Sequence, residues 1–107
     1  MKLVIIESPY AGDVERNIEY ARAAVRHSLS LDEAPIASHL LYTQPGILDD
    51  NIPEERDWGI DAGLAWRAVA ERTVVYKDYG ITPGMAYGIA AARKAEIEVI
   101  YRSILLR

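Results

Sequence analysis

The sequence predicts an α/β protein whose three layers are built on a doubly wound, Rossmann-like or flavodoxin-like parallel sheet of about four strands. Short apolar runs alternate with helical patterns in the order β-α-β-α-β-α-β. Strands that are separated by helices pair in parallel, because each helix carries the chain back to the same end of the sheet. No internal repeat or linker interrupts the sequence, so residues 1–107 are expected to form a single domain.

The strands are predicted from four short apolar runs. The first run ends in the polar loop Glu7-Ser8-Pro9-Tyr10-Ala11-Gly12, and a helical pattern follows at once. In an open α/β sheet a ligand binds at such a loop, because free N–H groups and the helix dipole favour an anion or a hydrogen-bonding sugar. The predicted strands are residues 2–6, 35–41, 72–77 and 98–101, and residues 103–107 form a tail.

Capping residues mark the helix starts. Asp13 is a good N-cap for the first helix, Pro53 suits the first position of the second, and Thr82 followed by Pro83 opens the third. The first helix carries an apolar stripe at helical spacing, which is expected to face the sheet: Val14, Ile18, Ala21, Val25 and Leu29. The predicted helices are residues 13–29, 53–70 and 83–94.

Composition narrows the classes of partner. The formal net charge is -4 and no basic cluster stands out, which argues against double-stranded nucleic acid. The chain has no cysteine and its two histidines lack zinc-site spacing, so no metal is expected. Neither GxGxxG nor a Walker loop occurs, so no cofactor is expected. Without a membrane-spanning apolar run, and with Met1-Lys2 leading directly into a strand, a cytoplasmic protein is expected.

Polar and aromatic side chains gather where the predicted strands end. Because the carboxyl ends of parallel strands meet at one edge of a sheet, these side chains are expected to share a crevice. Carboxylates there can hold sugar hydroxyls, helix N–H groups can hold phosphate, and tyrosine rings can stack on a base. The candidate ligand-binding residues are Ser8, Pro9, Tyr10, Gly12, His39, Tyr79, Thr82, Gly84 and Met85, with Glu7 and Asp78 as carboxylates.

Each of these candidates also has a purely structural interpretation. Residues 8–10 can be only a turn, His39 can be a hydrogen-bonded packing residue, and residues 82–84 can be only a helix cap. In the irregular stretch 42–52, Asp49 and Asp50 are expected to be solvated loop residues rather than metal ligands.

Three short segments resemble one protein family. Residues 6–12, IESPYAG, resemble the strand-then-(S/G)PY-x-G loop of nucleoside 2-deoxyribosyltransferase-like proteins. Residues 52–57, IPEERD, resemble the Arg-Asp helix start before their third strand, and residues 82–88, TPGMAYG, resemble their Ser-x-Gly-x-x-x-Glu segment. The order and spacing of the segments span nearly the whole chain and are most similar to the short phage and bacterial members of that superfamily.

The resemblance implies cleavage or transfer at the N-glycosidic bond of a (deoxy)nucleoside or nucleotide. In the family, a Glu at the start of the corresponding helix attacks the sugar C1′, and a second acid assists the departing base. Here residues 80–94 contain no carboxylate, so that Glu has no counterpart on this helix. Glu7, Asp57 and Asp78 are the carboxylates near the edge that could replace it.

Three functions follow as hypotheses. The first is binding of a nucleoside- or nucleotide-derived small molecule without the usual Glu nucleophile. The second is an active N-glycosidase or deoxyribosyltransferase that uses one of the three replacement carboxylates. The third is an oligomeric interaction module with a vestigial pocket. The sequence leaves open whether the chain is an enzyme.

The second predicted helix, residues 53–70, is apolar around most of its circumference. A single face of a sheet cannot bury all of these side chains, so a homo-oligomer that associates through this helix is expected. The side chains in question are Trp58, Ile60, Ala62, Leu64, Ala65, Trp66 and Val69.

Overall fold

The computed structural model describes residues 1–105, so the last two residues of the predicted tail lie outside the described residues. The strands are Lys2–Glu7 (β1), Glu33–Ile36 (β2), Arg72–Tyr76 (β3) and Glu98–Arg102 (β4). The helices are Val14–Ser30 (α1), Ser38–Leu41 (α2), Pro53–Ala65 (α3) and Pro83–Lys94 (α4), with a 3-10 turn at Trp66–Ala68.

The four described strands form one parallel sheet in the order β2-β1-β3-β4, which confirms the predicted fold class. From β1 the chain moves to β2 on one side, and it then crosses to β3 on the other side of β1. The connections therefore diverge between β1 and β3, and such a switch point opens a crevice at the carboxyl ends of the two strands. Glu7, the last residue of β1, lies opposite Val75 of β3 at this point.

Helices cover both faces of the sheet and form two apolar clusters. On the α1 face, Tyr20 and Ala24 pack on side chains of the central strands such as Val4 and Val74. On the opposite face, Met85 and Ile89 of α4 pack on Val75. The sheet is thus sandwiched in three layers, and α4 is held close to the ends of β1 and β3.

The predicted apolar stripe of α1 is correct only in its middle, where Ala21 is buried and Val25 packs against the core, and its N-cap is confirmed. Asp13 accepts a hydrogen bond from the backbone N–H of Arg16 at 3.2 Å, but Val14 and Leu29 are exposed. The buried face is rotated toward polar residues that have local partners. The Asn17 amide donates to the carbonyls of residues 10 and 11, and the Ser28 hydroxyl donates to a buried carboxylate.

The second strand is shorter than predicted. It ends at Ile36, and residues 38–41 form the short helix α2, in which the Ala37 carbonyl accepts hydrogen bonds from the N–H groups of Leu40 and Leu41. The apolar run predicted as one strand is therefore a strand followed by a helical turn. Such short runs do not by themselves distinguish the two structures. As a result His39 lies on a helix, not in a strand.

The second predicted helix also ends early, at Ala65, and a 3-10 turn replaces its last residues. Its N-cap is Ile52, without a side-chain hydrogen bond. Much of its apolar surface faces outward: Trp58 is 67% exposed and Trp66 is 42% exposed. None of the helices within residues 1–105 is long and apolar enough to cross a membrane.

A buried carboxylate ties β2 to the two strands on the far side of β1. The Glu33 carboxylate accepts hydrogen bonds from Ser28 Oγ at 2.7 Å, Arg102 Nη2 at 2.7 Å and Arg72 Nη1 at 3.0 Å. The hydrogen bonds from Arg102, reinforced by Ser28 and Arg72, lower the pKa of Glu33 to about 2. The carboxylate is therefore ionised in the folded state at neutral pH, and it clamps the sheet from one face.

We predict that Glu33→Gln lowers the free energy of unfolding by about 3 kcal/mol at neutral pH, because two guanidinium groups lose a buried anionic partner. Since the folded pKa is depressed, this stabilisation is present above the ordinary pKa of 4.5 and is lost as the pH falls toward about 2. Urea denaturation at several pH values measures it. Glu98→Gln is the control, because that side chain is 53% exposed. Equal effects of the two variants would contradict the prediction.

Candidate functional site

A cavity of about 750 Å³ opens beyond the carboxyl ends of β1 and β3. Its walls come from the loop after β1, from α2 and α3, and from the first two turns of α4. Tyr42 forms part of the wall, and its hydroxyl accepts a hydrogen bond from Trp66 Nε1 at 3.0 Å, which fixes the end of α3 against the loop 42–52. The volume lies in the range of small-molecule sites.

Glu7 is the carboxylate at the switch point. Its side chain is only 16% exposed, and its Oε2 lies 3.4 Å from Nη2 of Arg67. Burial raises the pKa of Glu7 to about 7, although the nearby guanidinium opposes that shift. Near neutral pH the group is therefore divided between its protonated and ionised forms, which is a common property of acids and bases at functional sites.

The backbone of α4 approaches this carboxylate closely at Gly88. A Cβ atom on residue 88 would lie 2.5 Å from the carboxyl carbon of Glu7 and 2.8 Å from its Oε1. Arg67 bridges the same two residues, since its Nη2 also donates to the Gly88 carbonyl at 2.6 Å. Only glycine leaves room at position 88 for the Glu7 carboxylate where it now lies.

Ser8 and His39 form a second polar pair in the wall of the cavity. Ser8 Oγ lies 2.6 Å from Nε2 of His39. Burial lowers the pKa of His39 to about 4, so the imidazole is neutral at neutral pH. The neutral ring and the hydroxyl can exchange donor and acceptor roles, and they can present hydrogen-bonding capacity without charge.

The start of α4 closes the cavity on another side. The Thr82 hydroxyl accepts a hydrogen bond from the Met85 N–H at 3.2 Å, which confirms Thr82 as the N-cap. Pro83 and Gly84 form the first turn and line the cavity. This arrangement directs the positive end of the helix dipole toward the wall.

The charges that line the cavity are mostly negative. The described lining carries five carboxylates and two guanidinium groups. One guanidinium belongs to Arg67, and the other belongs to Arg56, which lies 3.9 Å from Asp50. The remaining carboxylates are Glu7, Glu55, Asp57 and Asp61. Such a surface favours hydroxyl and amino groups of a ligand over an additional anion.

Most of the candidate residues lie together. The lining includes Glu7, Ser8, Tyr10, His39, Asp57, Thr82, Gly84 and Met85. Pro9 is a buried residue of the loop after β1, and Gly12 forms the turn before α1 with a φ of 100°. Neither residue lines the cavity, and both instead shape the loop between β1 and α1.

Asp78 and Tyr79 lie away from the cavity. The Asp78 carboxylate accepts hydrogen bonds from the Tyr20 hydroxyl at 2.5 Å and from the Ile104 N–H at 2.9 Å. Tyr79 packs edge-on against Tyr20, with the guanidinium of Arg16 3.9 Å from its ring centroid. This cluster attaches the segment after β4 to α1, and we therefore assign both residues a structural role.

Sequence reasoning missed Arg67 and misjudged Gly88. Arg67 belongs to the 3-10 turn after α3, where the sequence predicted that the second helix continues to residue 70. Gly88 was noted only for lacking a carboxylate, and its contact with Glu7 depends on how α4 packs on β1. Within the described part of the chain, no cluster of three or more His, Asp or Glu side chains could hold a metal ion.

The fold resembles that of 2-deoxyribosyltransferases. The enzyme from the psychrotolerant bacterium Bacillus psychrosaccharolyticus, described as a biocatalyst for nucleoside synthesis, matches with a TM-score of 0.65 and 15% identity over 98% of this chain and 77% of that one. The Leishmania mexicana enzyme matches with a TM-score of 0.61 and 14% identity over 100% of this chain and 67% of that one. At these identities the likeness shows a shared fold.

Residues 2–102 match the family described as "Domain of unknown function (DUF7768)", and the chain belongs to that family. No curated protein matches the chain.

We predict that Glu7→Gln changes how stability depends on pH. Because the folded pKa of about 7 lies above the ordinary value of 4.5, the wild-type protein loses stability as the pH rises between these values. An amide carries no titrating proton, so the variant should lose less stability than the wild type between about pH 5 and about pH 8. Urea denaturation measures both. If the free energy of unfolding of the two proteins changes with pH in the same way, the raised pKa assigned to Glu7 is contradicted.

Proposed function

We propose that this protein binds a nucleoside- or nucleotide-derived small molecule in the cavity beyond β1 and β3. The observation that carries the proposal is the position of Glu7, a largely buried carboxylate at the switch point of the sheet, inside a cavity of about 750 Å³. The folds of the two 2-deoxyribosyltransferases support this choice of ligand class.

The lining supports a division of roles within such a ligand. Glu7 and Asp57 can accept hydrogen bonds from sugar hydroxyls, and the neutral Ser8–His39 pair can recognise a further hydroxyl or a base edge. The rings of Tyr10 and Tyr42 offer apolar surface on which a base can stack.

The negative lining favours a nucleoside over its phosphate. An unphosphorylated sugar adds no charge, whereas a phosphate would lie among five carboxylates and only two guanidinium groups. The start of α4 offers the best counter-charge for a phosphate, but it is a partial charge of about half a unit. We therefore expect tighter binding of nucleosides than of the corresponding monophosphates.

We predict that deoxynucleosides raise the melting temperature of the protein, because a ligand that binds only the folded state stabilises it. Thermal unfolding with each natural nucleoside and each 5′-monophosphate, followed by calorimetry of those that act, measures the effect. Tyr10→Ala should weaken binding about tenfold, whereas Glu19→Gln, an exposed change on α1, should leave it unchanged.

A complete absence of stabilisation across this panel would contradict the proposal and would favour the interaction module with a vestigial pocket. Stabilisation by monophosphates alone would contradict the preference for uncharged ligands. We place this activity in the cytoplasm of a bacterium or of a phage-infected cell, which extends the family resemblance to the biological setting.

We further propose that the protein is a homo-oligomer through α3 and the turn after it, as the exposed rings of Trp58 and Trp66 support. Sizing with light scattering should give a multiple of the 11.9 kDa chain mass at micromolar concentration. Trp58→Glu should shift the mass toward one chain by burying a charge in the interface. Arg22→Glu on the exposed face of α1 is the control. A single-chain mass for the wild type would exclude the oligomer.

A further inference from the structure

The carboxylate of Glu7 fills the space into which a side chain at position 88 would extend. An ideal Cβ on Gly88 is directed at the Glu7 carboxyl group, with its carbon at 2.5 Å and its Oε1 at 2.8 Å. Two backbone positions, the end of β1 and the second turn of α4, therefore point at the same small volume. One carboxylate can be supplied to that volume from either position, but not from both at once.

The surroundings of this volume are those of a reacting group rather than of a structural ion pair. Arg67 is 9% exposed, its Nη2 is shared between the Gly88 carbonyl and Glu7, and its buried Nε has no hydrogen-bond partner among the described residues. Within the described part of the chain Glu7 has one ionic contact, at 3.4 Å, whereas Glu33, which has a structural role, accepts four shorter hydrogen bonds. Glu7 is thus held in position and incompletely neutralised.

The other carboxylates in the lining are less suited to this role. Asp50 is paired with Arg56, and Glu55 accepts a hydrogen bond from the Asp49 N–H at 2.9 Å. Asp57 and Asp61 are exposed on α3, where water competes for any contact with a ligand. Only Glu7 combines burial with a position at the strand ends.

We infer that Glu7 is the catalytic carboxylate of this cavity, placed from β1 at the point that residue 88 faces, and that it displaces the base from C1′ of a nucleoside. The inference rests on the proposed function, because it requires that a nucleoside binds here. It extends that function from binding to cleavage of the N-glycosidic bond.

The step balances with water as the second reactant. An Oε atom of Glu7 forms a bond to C1′ while the bond from C1′ to the base nitrogen breaks, and the base leaves with that electron pair. The base nitrogen takes a proton from a water molecule. The hydroxide that remains adds to C1′, and the ester bond breaks with its electron pair returning to Glu7. The net reaction converts a nucleoside and water into a free sugar and a free base.

The inference is tested by moving the carboxylate between the two positions. Wild-type protein, Glu7→Gly, Gly88→Glu and the double exchange are incubated with each natural deoxynucleoside, and released base is measured by chromatography. Calorimetry of the same pairs reports binding separately. Glu19→Gln serves again as the exposed control, and urea denaturation shows whether each variant folds.

We expect each single change to lower base release by about 1,000-fold, since one removes the carboxylate and the other crowds two into one space. The double exchange should recover at least about a tenth of the wild-type rate, because α4 then supplies the group. Gly88→Ala, a favourable change for a helix, should lower the rate at least tenfold by displacing the Glu7 carboxylate. The wild-type rate should rise with pH through about 7, as the carboxylate ionises.

Two results would overturn the inference while leaving the proposed function intact: binding of deoxynucleosides without base release by the wild type, or base release that survives in folded Glu7→Gly. If the folded double exchange releases base no faster than both single variants, the claim that β1 and α4 can supply a carboxylate to the same volume is refuted. Absence of both binding and base release would refute the inference and the proposed function together.

Discussion

The contact between the end of β1 and the second turn of α4 determines the character of the cavity. Because residue 88 has no side chain, α4 can approach until its backbone meets the carboxylate of Glu7. The approach excludes water from that carboxylate, and the loss of water raises its pKa to about 7. The close packing of α4 on β1 and the raised pKa of Glu7 therefore have the same cause. A residue larger than glycine at position 88 would separate the helix from the strand or push the carboxylate out.

The rest of the fold holds this contact in place. The reversal of strand order between β1 and β3 creates the crevice, and the apolar cluster of α4 on Val75 fixes the height of the helix above the sheet. On the opposite face, the Glu33 clamp ties the outer strands together without reaching the cavity. The two buried carboxylates thus differ in role because they differ in partners: one is fully paired and strongly acidic, and the other is barely paired and titrates near neutrality.

Local patterns predicted the parallel sheet, the caps at Asp13 and Thr82, and the position of the crevice, because periodicity and strand-end geometry depend on neighbouring residues. They failed where contacts between residues distant in the sequence determine which side chains are buried and where they point. The buried face of α1 follows Asn17 and Ser28, whose partners lie in a loop and in β2. Asp78 follows a predicted strand end, but its hydrogen bond to Tyr20 turns it toward α1. The Glu7–Gly88 contact joins residues distant in the sequence, so no motif search finds it.

The titration of the Glu7 side chain in the folded protein tests this account most directly. Carbon-13 NMR of the glutamate carboxyl groups, with Glu7→Gln to assign the resonance, measures the pKa of that residue. The account predicts a midpoint near 7 in the wild type and a fall toward the ordinary value of 4.5 in Gly88→Ala, where the carboxylate is displaced into water. A wild-type midpoint near 4.5 would show that Glu7 is solvated, and it would contradict the account.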